Sequence, residues 1–302
     1  MTHTIGFYLA GYKGFHVLSE FVERIGASSV CFVVAAKDSG ISRDYFDEIQ
    51  KISGNNNLQF YGREDLKNTD RPVADLNFAI GWRWMLPPDD GLIIFHDSLL
   101  PKYRGFAPLV NALVAGEETI GVTALKAAEN YDSGPIISQQ AVDISYPIKI
   151  AAAIERVAPL YADLAVSVYT EFAKSEKLTS RDQDEELASY SPWRDEADYL
   201  IPWSENSAYI KRFCDAVGLP YKGAMTYWGR KIIRVIEVNE LEDIDITDRS
   251  KHIGKVMYKN SGRPAVICGS GLLQITNARF EDTGESIFEG LPLRVRFSKT
   301  MQ

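Results

Sequence analysis

Five short apolar runs in the first hundred residues, at 5–10, 30–34, 58–61, 76–80 and 92–95, constrain the fold more than any other feature. The stretches between the first three read as helices. One opens at the turn Gly11-Tyr12-Lys13-Gly14 and carries Phe15, Leu18, Phe21, Val22 and Ile25 on one face; another covers about 43–52. Strand and helix in alternation predict a parallel sheet. The fifth run ends on the polar triplet His96-Asp97-Ser98 and then on a basic loop flanked by Pro101 and Gly105. A buried strand finishing this way delivers its side chains to the carboxyl edge of an open α/β sheet, where such sheets keep their sites.

His96 is one of four histidines, and a lone histidine is commonly a packed structural residue. A second segment argues for more. The strand-like residues 121–125 lead into the turn-rich Glu129-Asn130-Tyr131-Asp132-Ser133-Gly134, and Asp132 offers a carboxylate to orient the imidazole as a general base.

A chain of 302 residues, 45% hydrophobic, predicts two domains with a proper core. Its net charge of −8 argues against a large electrostatic footprint on nucleic acid, which takes clustered Lys and Arg. Cys31, Cys214 and Cys268 are odd in number and far apart, so neither a disulfide framework nor a metal site is expected. Gly11 and Gly14 do not make the three-glycine dinucleotide fingerprint. The opening Met1-Thr2-His3-Thr4 runs directly into an apolar strand without the basic flank of a signal peptide, and no segment has the roughly 18 uninterrupted apolar residues of a membrane span. The expected location is cytoplasmic.

At the residues just described the sequence resembles the folate-dependent formyltransferases, the family of methionyl-tRNA formyltransferase and the nucleotide-sugar N-formyltransferases. The family pattern Asn-x-His-x-Ser-Leu-Leu-Pro, a Tyr/Trp-Arg-Gly loop, a Gly-Val-Thr strand and a Leu-Asp-Thr-Gly-like loop are matched in order and spacing. Here they stand as Ile94-Phe95-His96-Asp97-Ser98-Leu99-Leu100-Pro101, Tyr103-Arg104-Gly105, Gly121-Val122-Thr123 and Tyr131-Asp132-Ser133-Gly134. One departure matters: the family's catalytic Asn is Ile94. Resemblance implies an N-terminal Rossmann-like, mostly parallel sheet and a C-terminal OB-like small β-barrel opening near Pro220-Tyr221-Lys222-Gly223-Ala224. It implies 10-formyltetrahydrofolate as donor without a metal, and His96 and Asp132 as catalytic residues. Trp84, Met85, Leu86, Ser98, Leu99, Leu100, Pro101, Asn130 and Tyr131 are the implied folate contacts. Lys102, Tyr103 and Arg104 supply cationic and aromatic groups at the mouth for the acceptor. Phe106 stands where some members carry an Arg.

After a helix over 109–115, with Pro108 in its first turn, a strand is expected at 135–140. Ile150, Ile154, Val157, Tyr161, Leu164, Val168 and Phe172 recur at helical spacing, which predicts a long amphipathic helix over 148–173, kinked at Pro159. Composition turns polar at Ser175, so the expected domains are 1–175 and 207–302, joined by a linker at 176–206 whose acidic run is a solvated face. A short helix from Tyr209 and strands at 232–238, 252–258, 265–268 and 272–278 follow, as a small barrel requires.

These readings give an expectation with two alternatives. The expectation is formyl transfer to the amine of a nucleotide-linked amino sugar, because the chain is acidic and lacks the basic insertion of the family's tRNA enzymes. The alternatives are transfer to aminoacyl-tRNA, and a homologue that binds or hydrolyses formyl-folate and has lost transfer with the Asn. In the strand, position 94 shares a face with His96, so Ile94 removes an oxyanion donor that Asn130, Asn111 or a backbone amide would have to replace. A homodimer is compatible with the resemblance.

Overall fold

A computed structural model of the chain describes residues 3–67, 73–89 and 91–301, so the first two residues of the opening lie outside it. The chain divides into two compact units. The first holds the chain up to Ala112 with Glu118–Ile144 and Ala152–Trp193; the second holds Leu113–Glu117, Ser145–Ala151 and the chain from Arg194.

In the first unit the apolar runs become strands β1 (Ile5–Leu9), β2 (Val30–Ala35), β3 (Phe60–Gly62), β4 (Leu76–Ile80) and β5 (Leu92–His96). The two-residue β6 (Arg104–Gly105) follows, then β7 (Thr119–Lys126), β8 (Ile136–Asp143) and the two-residue β9 (Tyr190–Ser191). Helices α1 (Gly11–Arg24) and α2 (Phe46–Asn55) make the crossovers, with α3 (Pro108–Ala115) and α4 (Ile150–Ser175) later. The seven-stranded sheet has the order β3-β2-β1-β4-β5-β7-β8. It is parallel through β5, and β7 and β8 join antiparallel. The chain winds outward from β1 through β2 and β3, then returns to β1's other side as β4. That reversal opens a crevice at the carboxyl ends of β1 and β4. The backbones there approach closely: Ala10 donates its N–H to Ile80 O (3.1 Å), and a Cβ on Gly81, at φ 63, would lie 2.4 Å from Ala10 O. Only glycine fits at the exit of β4.

Each sheet face has its own core. On one, Phe7, Phe78 and Phe95 form an aromatic row beneath Phe21 of α1 and Tyr161 of α4. Phe7, Phe21 and Phe78 are fully buried, which stabilises by about 1.5–3 kcal/mol each. On the other face Tyr8, Phe32, Val34, Ala79 and Leu92 pack together, and Trp82, Leu86 and Ile94 lie partly buried against them. Alternation along β5 therefore puts Leu92, Ile94 and His96 on this second face.

The α4 helix is one element of 26 residues with Pro159 inside it. Pro159 is exposed. The boundary between units also differs from the sequence expectation. Arg181 pairs with Ile136 and β9 pairs in parallel with β6, so the first half of the expected linker is built into the first unit.

The second unit packs α5 (Ser207–Ala216) against a five-stranded antiparallel sheet. Its strands are β10 (Ala224–Trp228), β11 (Lys231–Leu241), β12 (Val256–Asn260), β13 (Arg263–Ile267) and β14 (Leu272–Phe280), in the order β10-β11-β14-β13-β12. The final segment ties the two edge strands together. Ser298 exchanges both backbone hydrogen bonds with Tyr227 of β10 (2.9 and 3.0 Å), and Val256 of β12 donates to Val295 O (2.9 Å). These bridges cover part of each edge of the sheet.

Candidate active site

His96 ends β5, 7% exposed. Its Nε2 lies 2.8 Å from the carbonyl oxygen of Tyr103, and because a carbonyl only accepts, Nε2 carries the proton. Nδ1 faces Asp132 Oδ2 at 3.4 Å, longer than a charge-assisted hydrogen bond. Asp132 is itself positioned: it lies at φ 51, and its Oδ2 accepts the Gly105 N–H at 2.8 Å. The imidazole is thus anchored on one nitrogen, and the other is left to gain or release a proton beside a carboxylate.

Thr123 of β7 stands opposite His96 in register and organises the loop that follows β5. Its Oγ1 donates to Ser98 O (2.6 Å) and accepts from Leu100 N (3.1 Å) and Gln139 Nε2 (2.9 Å). Gln139 also donates to Leu100 O at 2.9 Å. The Ser98 hydroxyl closes the loop on Lys102 O (2.7 Å), and the Leu100–Pro101 peptide is cis. Leu100 is buried against Leu125 and Ile136, with Ile94 at the edge of that cluster. Leu99 packs over Gly121, where a Cβ would fall 2.5 Å from its Cδ2.

Upstream, the exit of β4 supplies an aromatic wall. Trp82 meets Tyr8 edge-on at 5.4 Å and Trp84 at 5.0 Å, and Arg63 stacks on Trp84 at 4.4 Å with Arg83 at 5.8 Å. Leu86 packs inward on the apolar face, while Met85 is 59% exposed. The Trp82 indole nitrogen is buried and, among the described residues, has no hydrogen-bond partner. Tyr131 is exposed and leans on Phe106 at 5.3 Å, and Asn130 is exposed with its carbonyl accepting from Ser133 Oγ. Asn111 of α3 donates its side-chain amide to the carbonyl of Ala107, the residue before the helix (3.0 Å).

The mouth residues divide. Lys102 is exposed and Tyr103, at φ 61, contributes the carbonyl that holds His96. Arg104, expected at the mouth, is buried. Its guanidinium is 1% exposed and faces Glu185 (2.7 and 2.8 Å), Gln183 Oε1 (2.9 and 3.0 Å) and the Tyr190 hydroxyl (3.3 Å). All five N–H donors are matched, leaving none for an acceptor molecule. Glu185 holds the Arg104 guanidinium above its ordinary value through these hydrogen bonds.

Beyond the motif, Lys13 and Tyr161 both reach Asp97, the residue after His96. Tyr161 Oη donates to Asp97 Oδ1 at 2.5 Å, and the Lys13 ammonium pairs with Oδ2. Among the described residues no group of three or more His, Cys, Asp or Glu could hold a metal ion, and no helix is long and apolar enough to cross a membrane.

Residues 59–169 match the formyl transferase family, and residues 194–289 match its C-terminal domain. The methionyl-tRNA formyltransferase of Syntrophomonas wolfei is 32% identical over 218 residues, covering 70% of this chain and 68% of that protein. The chain belongs to the formyl transferase family. The methionyl-tRNA formyltransferase of Chloroflexus aurantiacus is 32% identical over 189 residues, and the match covers 62% of this chain but only 59% of that protein's length. In three dimensions the chain is similar to the N-formyltransferase from Helicobacter canadensis, solved with folinic acid and dTDP-3-aminofucose. That likeness has a TM-score of 0.64 at 15% identity over 90% of this chain and 99% of that one, and it shows a shared formyltransferase fold.

Proposed function

We propose that this chain transfers the formyl group of 10-formyltetrahydrofolate to a primary amine, and that the amine belongs to a nucleotide-linked amino sugar. The observation that carries the reading is the imidazole of His96, fixed through Nε2 to Tyr103 O with Nδ1 turned to Asp132. The residues around it suit a reduced folate. Tyr8, Trp82, Leu86 and Ile94 make an apolar slot, the buried Trp82 N–H is a donor without a partner among the described residues, and Arg63 and Arg83 at Trp84 suit anionic groups. Trp84, Met85, Leu86, Ser98, Leu99, Leu100, Pro101, Asn130 and Tyr131 are the proposed contacts.

The bound donor would supply an electrophilic formyl carbon. His96 Nδ1 takes the proton that the attacking amine gives up, and the Asp132 carboxylate stabilises the resulting imidazolium. The same proton is then available to the departing folate nitrogen. The tetrahedral oxygen receives no side-chain donor from position 94, since Ile94 stands where the family places Asn. Loss of one such donor costs on the order of 10²–10³ in rate when nothing replaces it.

The acidic charge of −8 supports a small acceptor over tRNA, whose phosphates attract basic surfaces. Ile94 favours one second reading, hydrolysis of formyl-folate without transfer. Incubation with 10-formyltetrahydrofolate and a panel of amino-sugar nucleotides tests both. The expected result is the mass gain of one formyl group on an amine. Formate release with no gain on any acceptor selects hydrolysis, and neither product overturns both readings.

A further inference from the structure

Resting on the reading of His96 and Asp132 as the reacting pair, we infer that Gln183 is a positioning residue for Asp132, and that residues 181–191 belong to the catalytic apparatus. This segment lies between the two stretches that match the family, 59–169 and 194–289.

Gln183 uses both ends of its amide. Nε2 donates to Asp132 O (2.7 Å) and Gly134 O (2.8 Å), and Oε1 accepts from Arg104 Nε and Nη2 (3.0 and 2.9 Å). One side chain thereby joins the loop that carries the carboxylate to the loop that carries the imidazole's anchor. Asp132 stands at φ 51, a left-handed conformation that Asp tolerates better than most L residues, and Gln183 bonds the carbonyls on either side of Ser133 in the same turn.

The other anchors run through the same segment. His96 is held by Tyr103 O and Asp132 by Gly105 N, both on 103–105. That stretch is pinned by 189–191: Tyr103 N donates to Ser189 Oγ (2.9 Å), Arg104 N to Ser189 O (2.8 Å) and Phe106 N to Ser191 O (2.8 Å). Gly105 faces the other way in this ladder, at φ 99, and a Cβ there would fall 2.7 Å from Ser191 O. Alternation along β6 thus sends Arg104 and Phe106 amides to the strap and the Gly105 amide to Asp132. The bidentate Glu185–Arg104 pair locks the arrangement.

The substitution Gln183→Glu separates positioning from mere attachment. A carboxylate still accepts from Arg104, so a purely structural role survives or strengthens. It cannot donate to Asp132 O and Gly134 O, so a positioning role fails. The expected loss is about ten- to a hundredfold in kcat with little change in the KM for folate. In an Asp132→Asn background the same change should cost less than about twofold more, because the group it positions is already gone. A second reading needs no turnover: in 15N-glycine-labelled protein the Gly105 amide proton should move upfield as its bond to Asp132 loosens. Losses that multiply in the double variant, or an unmoved Gly105 resonance, overturn the inference. If wild type transfers no formyl group, the proposed function falls and the Gly105 resonance alone decides the positioning claim. Should Gln183→Glu fail to fold, Gln183→Met removes the same donors together with the acceptor for Arg104, so there the comparison in the Asp132→Asn background and the Gly105 resonance carry the test.

Discussion

His96 and Asp97 are consecutive, yet they leave the end of β5 on opposite faces of the sheet into two different environments. On the Asp97 side every group is matched: Tyr161 and Lys13 take its two oxygens, and Lys13 lies over the Tyr161 ring at 5.6 Å. Burial pushes the Asp97 carboxyl up, but the Lys13 charge and the hydrogen bonds from Lys13 and Tyr161 outweigh it and hold the group below the ordinary carboxylate range. On the His96 side Nδ1 stands 3.4 Å from Asp132 Oδ2, an indole N–H lacks a partner among the described residues, and Ile94 is partly open. Both sides carry charge, and only one keeps capacity for a ligand. At this sheet edge the face assigned to the proposed function is the one whose residues have bonding capacity left.

The comparison breaks most visibly by removing the cation from the closed side. Lys13→Met strands a buried carboxylate, and equilibrium unfolding should show a loss of about 3–5 kcal/mol. If the stability is unchanged, the Lys13–Asp97 pair is not the closed constellation described here. Replacing Thr123 with the isosteric Val comes next. It removes the hydroxyl that serves Ser98 O, Leu100 N and Gln139, so unfolding should cost about 1–3 kcal/mol, and folate affinity, read by calorimetry, should weaken with it.

A smaller effect follows from pH. A carboxyl whose folded pKa is depressed adds stability above its unfolded value, near 3.9, and loses it as pH falls through the folded one. The gap in melting temperature between wild type and Asp97→Asn should therefore hold from pH 7 to about pH 5 and narrow below about pH 4. A gap that stays constant to pH 2 would assign its cause to packing. Ile94→Asn should have the smallest effect, on the open side: if the oxyanion donor has been supplied elsewhere, single-turnover transfer changes by less than about tenfold. A gain of 10²–10³ would identify the missing Asn as the defect of the native site.

The open side was the legible one. Runs of apolar residues ending in turn chemistry located β1, β2, β4 and β5, and His96 and Asp132 stand out because polar residues close apolar strands there. The closed side could not be read. Lys13 looks like a turn residue and Tyr161 like one more apolar position on the α4 stripe; they meet Asp97 across 84 and 64 residues of sequence. The partners of Arg104 were hidden for a related reason. They lie 79 to 86 residues downstream, in a polar stretch that composition alone describes as a linker. Glu185 reads there as one of a solvated acidic run, and its side chain is indeed 68% exposed while it clasps a buried guanidinium. In the second unit β10 went unread because Ala-Met-Thr-Tyr-Trp offers no clear apolar alternation, whereas the closing Val295-Arg296-Phe297-Ser298 does alternate apolar and polar residues, a strand signal that is weak over so short a stretch.

The proposed function requires that the chemistry belong to the His96 face. Single-turnover formyl transfer by wild type, His96→Gln and Asp132→Asn, each saturated with 10-formyltetrahydrofolate and one accepted amine, addresses it directly. His96→Gln should fall by about 10²–10⁴ in rate, with folate affinity and melting temperature near wild type, and Asp132→Asn should fall in the same direction. Transfer by His96→Gln at the wild-type rate would contradict that requirement.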